Sequence, residues 1–188
     1  MANDDSRATE RRARFEALAP ELVEPLRRFL ARRTDAATAE DVLSETLLVC
    51  WRRLDDVPAD AALPWAYGVA RHCLANAQRS ARRQGRLAAK VATVDPPAET
   101  SPGPGGPDGH DGDDRLHAAL VRLTDTEAEL IRLWAWEQLT PSEIAGVMDL
   151  TPNAVSIRLH RAREKLKEIM RKDATASGHE ESTEGRTP

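Results

Sequence analysis

The chain has 188 residues, of which 40% are apolar, 4% aromatic and 31% charged. This length accommodates at most two small modules on a linker, which excludes large multidomain enzymes and long repeat arrays. Thirty alanines, and 23 arginines against four lysines, favour helices over sheets. We therefore expect an all-α protein.

Two cysteines, Cys50 and Cys73, are too few for a disulfide framework. The sequence shows no N-terminal signal segment and no apolar run approaching ~20 residues. We therefore expect a reducing cytoplasmic location without membrane insertion. Neither Cys-x-x-Cys, His-Glu-x-x-His nor a Gly-rich phosphate loop is present, so we expect no metal, no cofactor and no catalytic residues.

The formal net charge of −4 is distributed unevenly. Residues 1–92 carry 16 basic and 13 acidic side chains, and residues 115–172 carry ten and eight, whereas residues 93–114 carry six acids and no base. The stretch 93–113 is rich in Pro, Gly and Asp without apolar periodicity, which predicts a flexible acidic linker. We expect modules at 12–92 and 114–172, and disorder at 1–11 and 173–188.

Three helices are predicted in the first module. The first is expected to bend or break near Pro20 and Pro25. The second begins at Thr38 as its N-cap, and the third runs from near Pro64 to about Arg83. A buried apolar stripe is predicted on each helix. The residues of these stripes are Phe15, Leu18, Leu22, Leu26 and Phe29; Leu43, Leu47, Cys50 and Leu54; and Val69, Cys73, Ala77 and Ala81.

The second module contains two Ser/Thr-x-x-Glu patterns, at 124–127 and 140–143, each of which predicts a capping box at a helix start. A last helix is expected to open at Thr151 and Pro152, with Val155, Leu159, Ala162 and Leu166 facing inward. Two short helices about a three-residue turn, the second of them basic, are typical of a helix-turn-helix. This pattern favours DNA binding over a solvated basic face on an ordinary bundle helix.

Several segments resemble a known family. Residues 139–150 (LTPSEIAGVMDL) and 155–163 (VSIRLHRAR) resemble region 4 of bacterial extracytoplasmic-function sigma factors of the sigma-70 family. Residues 39–54 (AEDVLSETLLVCWRRL) resemble region 2.2, and 64–72 (PWAYGVARH) with 79–83 (RSARR) resemble regions 2.3 and 2.4. The resemblance covers roughly residues 12–90 and 114–170 and implies two small helical domains.

Such a factor binds the clamp and flap of core RNA polymerase, opens the minus-10 element and reads the minus-35 duplex, and an anti-sigma factor is a further implied partner. The residues expected at the minus-35 duplex are Asn153, Ser156, Ile157, Arg158, His160, Arg161 and Arg163. Those expected at the single-stranded minus-10 element are Trp65, Arg71, His72, Asn76, Arg79, Arg82 and Arg83. Those expected at the polymerase clamp are Asp41, Glu45, Leu48 and Arg52.

Departures from the family pattern lie at DNA-facing positions. Ser156 and Ile157 replace the more usual Lys and Ser, and His72 replaces Asn. The promoter sequence that the family recognises is therefore not assigned to this chain. Asp149 stands where the turn usually has Gly, and Asp tolerates left-handed geometry better than most residues.

Alternatives to these assignments stay open at this point. The chain could be a stand-alone helix-turn-helix regulator acting without polymerase. Asp41 and Glu45 could merely neutralise neighbouring arginines, and core packing is the more common role for tryptophans such as Trp51 and Trp65.

Overall fold

The computed structural model describes the backbone of residues 2–91 and 111–180, and the side chains of residues 6–86 and 115–175. These ranges contain seven α-helices, one 3-10 turn and no strand, which confirms the all-α prediction. The chain forms two compact units, one containing α1–α3 and the other containing α4, α5, the first five residues of α6, and α7. The helices are α1 (Ala2–Ala31), α2 (Ala36–Arg52), α3 (Ala62–Val91), α4 (Asp111–Val121), α5 (Asp125–Ala135), α6 (Pro141–Met148) and α7 (Pro152–Glu180), with the 3-10 turn at Leu54–Asp56.

The core of the first unit lies where α1, α2 and α3 pack against one another. Phe29 of α1 stacks on Tyr67 of α3 with ring centroids 4.9 Å apart. Buried aliphatic side chains surround this pair; they include Leu22, Leu26, Leu30, Val42, Leu43, Ala66 and Ala70. The predicted stripes of α1 and α2 account for much of this core, because helical spacing of three and four brings such residues to one face.

Helix α1 is continuous, so the predicted possibility of a break near Pro20 and Pro25 is wrong. A proline inside a helix removes the hydrogen bond to the carbonyl four residues earlier. The carbonyls that lose this hydrogen bond at Pro20 and Pro25 belong to Glu16 and Glu21. Both residues are exposed, so water can hydrate the two carbonyls. The buried leucines between and beyond the prolines then hold the helix in place.

The helices extend past the domain boundaries expected from the sequence. Helix α1 begins at Ala2, whereas we expected disorder over 1–11, and α7 continues to Glu180 through the start of the expected tail. Helix α4 begins at Asp111, inside the expected linker. Residues 92–110 and 181–188 lie outside the described residues, and the linker and tail assignments there stay predictions.

The N-cap of α2 is Asp35, three residues before the one we predicted. The Asp35 carboxylate accepts from the backbone N–H of Thr38 at 3.0 Å and from its hydroxyl at 2.8 Å. Thr38 is therefore the partner of the cap. Both residue types are good caps, and local pattern alone does not choose between two candidates so close together. These hydrogen bonds lower the pKa of Asp35.

The second unit confirms the predicted helix starts. Capping boxes are present at Thr124 with Glu127 and at Thr140 with Glu143, and Pro141 occupies the first turn of α6. Buried residues from α4, α5, α6 and α7 form its core; they include Leu120, Leu130, Leu133, Ile144 and Val155. Capping thus sets where the helices begin, and their apolar stripes determine which faces pack inward.

Candidate functional site

The turn between α6 and α7 orients the last helix. Asp149 adopts the left-handed conformation with φ 55° and ψ 44°, as its tolerance for that region predicts. The backbone N–H groups of Asp149 and Leu150 both donate to the Ala145 carbonyl, which closes α6. Two residues later the Thr151 hydroxyl accepts from the N–H of Ala154 at 3.2 Å and caps α7.

One face of α7 anchors the helix and the other is exposed. Val155, Leu159 and Ala162 are buried, and Leu166 is half-buried, as predicted. The seven residues predicted at the minus-35 duplex are all exposed: Asn153, Ser156, Ile157, Arg158, His160, Arg161 and Arg163. Side chains that reach base edges in the major groove must be presented in this way.

The exposed face of α7 carries donors that are not committed to partners within the protein. Among the described residues, the guanidinium groups of Arg158 and Arg161 make no ion pair. The Ser156 hydroxyl donates to the Pro152 carbonyl at 3.0 Å, which leaves its oxygen lone pairs facing outward as acceptors. This part of α7 can therefore bind bases and phosphates without first breaking strong internal contacts.

Two basic residues further along α7 contact α5. The Arg163 guanidinium lies 4.3 Å from the centroid of the Trp134 ring, and Lys165 Nζ lies 2.8 Å from a carboxylate oxygen of Glu127. The hydrogen bond from Lys165 and the cap contact with Thr124 lower the pKa of Glu127. The sequence does not predict the pairing of Lys165 with Glu127, because no local pattern indicates a contact across 38 positions.

The third helix presents the predicted basic surface. His72, Asn76, Arg79, Arg82 and Arg83 are exposed, whereas Arg71 is half-buried. Arg79 donates to the Asn76 side chain at 2.7 Å, which places the two side chains together on one face. Ala81 was predicted to face inward but is exposed, as is every residue of 81–86. The core reaches only as far as the middle of α3. Beyond that point the apolar stripe of α3 continues in the sequence, but no other described helix packs on it.

The acidic face of α2 is exposed and has no internal counter-charge. Asp41, Glu45, Leu48 and Arg52 are all exposed, Leu48 by 45%. Within the described part of the chain, Asp41 and Glu45 form no ion pair, whereas their neighbour Glu40 lies 2.9 Å from Arg27. The reading that these two carboxylates merely neutralise nearby arginines is therefore not supported, and the face is available to a basic partner.

The α2–α3 loop (residues 53–61) lies next to Trp65. Leu54 and Val57 are buried, whereas Pro58, Ala59 and Asp60 are exposed. Trp65 is half-buried, and the Arg53 guanidinium lies 5.4 Å from its ring centroid. Trp51 packs edge-to-face on Phe15 with centroids 5.4 Å apart, and both residues are half-buried and lie outside the buried core.

The two cysteines are buried and free. Burial, with a smaller contribution from Cys73, raises the pKa of Cys50 to about 11, and burial and then Glu45 raise the pKa of Cys73. The described residues contain no cluster of three or more His, Cys, Asp or Glu side chains that could hold a metal ion. No helix among the described residues is long and apolar enough to span a membrane.

Comparison with known proteins assigns both units. Residues 15–84 match the family model Sigma-70 region 2, and residues 113–166 match Sigma-70, region 4. The RNA polymerase sigma factor CarQ of Myxococcus xanthus is 34% identical over 146 residues, covering 76% of this chain and 80% of CarQ. The ECF RNA polymerase sigma factor SigL of Mycobacterium tuberculosis is 31% identical over 175 residues, covering 86% of this chain and 92% of SigL. The chain belongs to the extracytoplasmic-function sigma factors of the sigma-70 family.

Solved structures support the fold. A chain in the co-crystal structure of the sigma factor RpoE with the anti-sigma factor NepR from Bartonella quintana aligns with a TM-score of 0.60 at 21% identity, covering 84% of this chain and 96% of that chain. A chain in the complex of CnrH with the cytosolic domain of CnrY aligns with a TM-score of 0.53 at 23% identity, covering 86% and 90%. The presence of region 2 beside region 4 disfavours a stand-alone helix-turn-helix regulator. The chain is a sigma factor that directs transcription initiation.

Proposed function

We propose that this sigma factor divides its task among three surfaces: the exposed face of α7 for the minus-35 duplex, the basic face of α3 with the α2–α3 loop for the opened minus-10 strand, and the acidic face of α2 for the polymerase clamp. The observation that carries the proposal is the absence of internal ion-pair partners, among the described residues, for Arg158 and Arg161 on α7 and for Asp41 and Glu45 on α2.

At the minus-35 duplex, Asn153, Ser156, Ile157, His160 and Arg161 are assigned to base edges. Arg158 and Arg163 are assigned to phosphates, contacts that position a helix without reading sequence. The stacking of Arg163 on Trp134 leaves the guanidinium exposed and limits its motion, so less freedom is lost when it binds a phosphate.

At the minus-10 element, Arg71, His72, Asn76, Arg79, Arg82 and Arg83 supply donors for the backbone of an unpaired strand. Trp65 and the α2–α3 loop supply a surface for its bases, because unstacked bases are held by apolar or aromatic groups beside a basic groove. Binding only to the opened strand shifts the equilibrium of the duplex toward opening. No covalent chemistry is required.

Asp41 and Glu45 are assigned to basic residues of the polymerase clamp, with Leu48 as an apolar contact between them and Arg52. The flap is assigned to the second unit. An anti-sigma factor, like those in the complexes of the structural neighbours, is the partner proposed to hold the factor inactive. The proposed place of action is the cytoplasm, where polymerase and promoter meet.

The test is run-off transcription with the core polymerase of the host, with and without this chain, on a library of promoters. We expect new, discrete start sites only when the chain is present. The chain alone should bind duplex promoter DNA far more weakly than the assembled holoenzyme does. Unchanged start sites, or equally tight binding by the free chain, would contradict the proposal.

A further inference from the structure

Residues 6–14 of α1 make no contribution to the apolar core. None of residues 6–14 is buried, and Arg11 is the one that is half-buried. Apolar packing therefore does not explain why this segment lies against the first unit. Its contacts include those of the Arg11 and Arg14 side chains, and the residue that follows it, Phe15, packs on Trp51.

Arg11 binds the end of α2. Its guanidinium donates to the carbonyls of Trp51 at 2.6 Å and Arg52 at 3.0 Å, and to the carboxylate of Asp55 at 3.1 Å. The last carbonyls of a helix lack partners within the helix and carry partial negative charge, so a cation with a planar fork of donors suits them. Arg11 also lies 5.3 Å from the Trp51 ring centroid.

Arg14 binds the next residues of the chain. It donates to the Val57 carbonyl at 3.4 Å, and its Nη1 lies 3.7 Å from the second carboxylate oxygen of Asp55. The two arginines thus hold both oxygens of Asp55 and backbone carbonyls at either end of the 3-10 turn. The contacts span 40 to 44 positions in sequence.

The same loop is linked to α3 on its other side. Arg53 donates to Asp56 at 2.9 Å, and its guanidinium lies over Trp65. Leu54 and Val57 secure the loop from within the core, while Pro58, Ala59 and Asp60 remain exposed. The start of the loop is therefore held from three directions, and its exposed tip is presented beside Trp65.

We propose that Arg11 and Arg14 are positioning residues for promoter opening: they hold the α2–α3 loop in the conformation that captures an unpaired base of the minus-10 strand. The inference rests on the proposed role of this loop and adds residues that neither touch DNA nor belong to the basic face of α3. A loop ordered before binding loses less conformational freedom when the base binds, which strengthens capture. The stretch 6–14 therefore serves strand opening rather than the stability of the core.

The experiment compares R11A, R14A and R11A/R14A with the matched control R12A, each in the full chain assembled with core polymerase. Arg12 is the adjacent arginine, is exposed, and makes no hydrogen bond or ion pair within the described residues. The probes are single-stranded oligonucleotides carrying the minus-10 element of a promoter recovered in the run-off experiment, with each of the four bases placed at each position in turn.

We expect R11A/R14A to bind the single strand about 10-fold more weakly, because hydrogen bonds to charged groups and loop order are both lost. The preference for one base should flatten at a single position, while preferences elsewhere persist. R11K should lose less single-strand affinity than R11A, since a lysine pairs with Asp55 but lacks the planar fork of donors. R12A and the wild type should be indistinguishable, and core affinity should match in all variants. The thermal midpoint of R11A/R14A should fall somewhat, because the same hydrogen bonds also stabilise the first unit.

An equal loss of preference at every position, or a parallel fall in core affinity, would show a merely structural role and overturn the inference. Full retention of single-strand binding by R11A/R14A would also overturn it. If the wild-type holoenzyme itself binds no minus-10 single strand, the proposed function fails and the inference fails with it. Failure of the inference alone is distinguishable, because the wild-type holoenzyme then still binds the single strand.

Discussion

Two apolar residues on α7, two positions apart, should behave in opposite ways when each is replaced by alanine. Leu159 is 6% exposed and lies on the anchoring face, whereas Ile157 is 45% exposed and lies on the face that we propose contacts DNA. Leu159→Ala leaves a cavity in the second unit and should destabilise it by roughly 2 to 5 kcal/mol. At ~4 to 8 °C per kcal/mol for a unit of this size, its thermal midpoint should fall by more than about 8 °C.

Ile157→Ala should cost the fold much less. About half of the side chain is already in water, water fills the space it leaves, and alanine is the better helix former, so the change in stability should stay within roughly 0.5 kcal/mol. Yet an exposed apolar group at a base edge contacts thymine methyl groups, and its loss should weaken minus-35 binding by the holoenzyme.

Thermal unfolding followed by circular dichroism and by tryptophan fluorescence measures the first effect, and holoenzyme binding to minus-35 duplexes at fixed salt concentration measures the second. If Ile157→Ala destabilised the chain as much as Leu159→Ala, the assignment of the two faces would be refuted. Unchanged duplex binding by Ile157→Ala would remove that residue alone from the interface.

Three further outcomes are expected. Arg161→Ala should weaken minus-35 binding by ~1 to 3 kcal/mol and relax the preference at one base pair. In the wild type the guanidinium of Arg171 pairs with Glu168, and the matched control Arg171→Ala should leave the base preference unchanged. An unaltered base preference in Arg161→Ala counts against base reading by this residue. Glu45→Lys should reduce core affinity with helix content intact, whereas the exposed Glu21→Lys on α1 should not, and full affinity in Glu45→Lys rejects the clamp assignment. Because burial raises the pKa of Cys50 from 9.0 to about 11, the folded thiol stays protonated where the unfolded one ionises. The contribution of this thiol to stability should be level below about pH 8.5 and should fall as pH rises toward 11, and a rise in unfolding midpoint between about pH 8.5 and 11 would contradict this.

Local sequence patterns predicted much of the architecture. Both capping boxes and the left-handed Asp149 lie where their residue types require, because each depends on contacts within four positions. The partition of α7 into buried and exposed faces is also as predicted, since a period of 3.6 residues determines it once one face packs. The exposure of every residue assigned to α7, and of Asp41, Glu45, Leu48 and Arg52, follows from the same periodicity.

Differences arose where an outcome depended on residues distant in sequence. Proline chemistry alone predicts a weakened α1, but packing of its leucines on α2 and α3 keeps it continuous. Ala81 continues an inward stripe, but no neighbouring helix reaches it. Periodicity describes what one helix can bury, and it carries no information on where the partner helix ends.

The sequence by itself determined that the chain is helical, where most helices begin, which faces are apolar, and to which family it belongs. Tertiary structure alone decided which charges are already paired. The pairs are Arg11 and Arg14 with Asp55, Lys165 with Glu127, and Glu40 with Arg27. Asp41, Glu45 and Arg161, by contrast, form no ion pair within the described residues. Helix formation depends on neighbours within one or two turns, whereas an ion pair depends on distances of a few ångströms between segments that are dozens of residues apart.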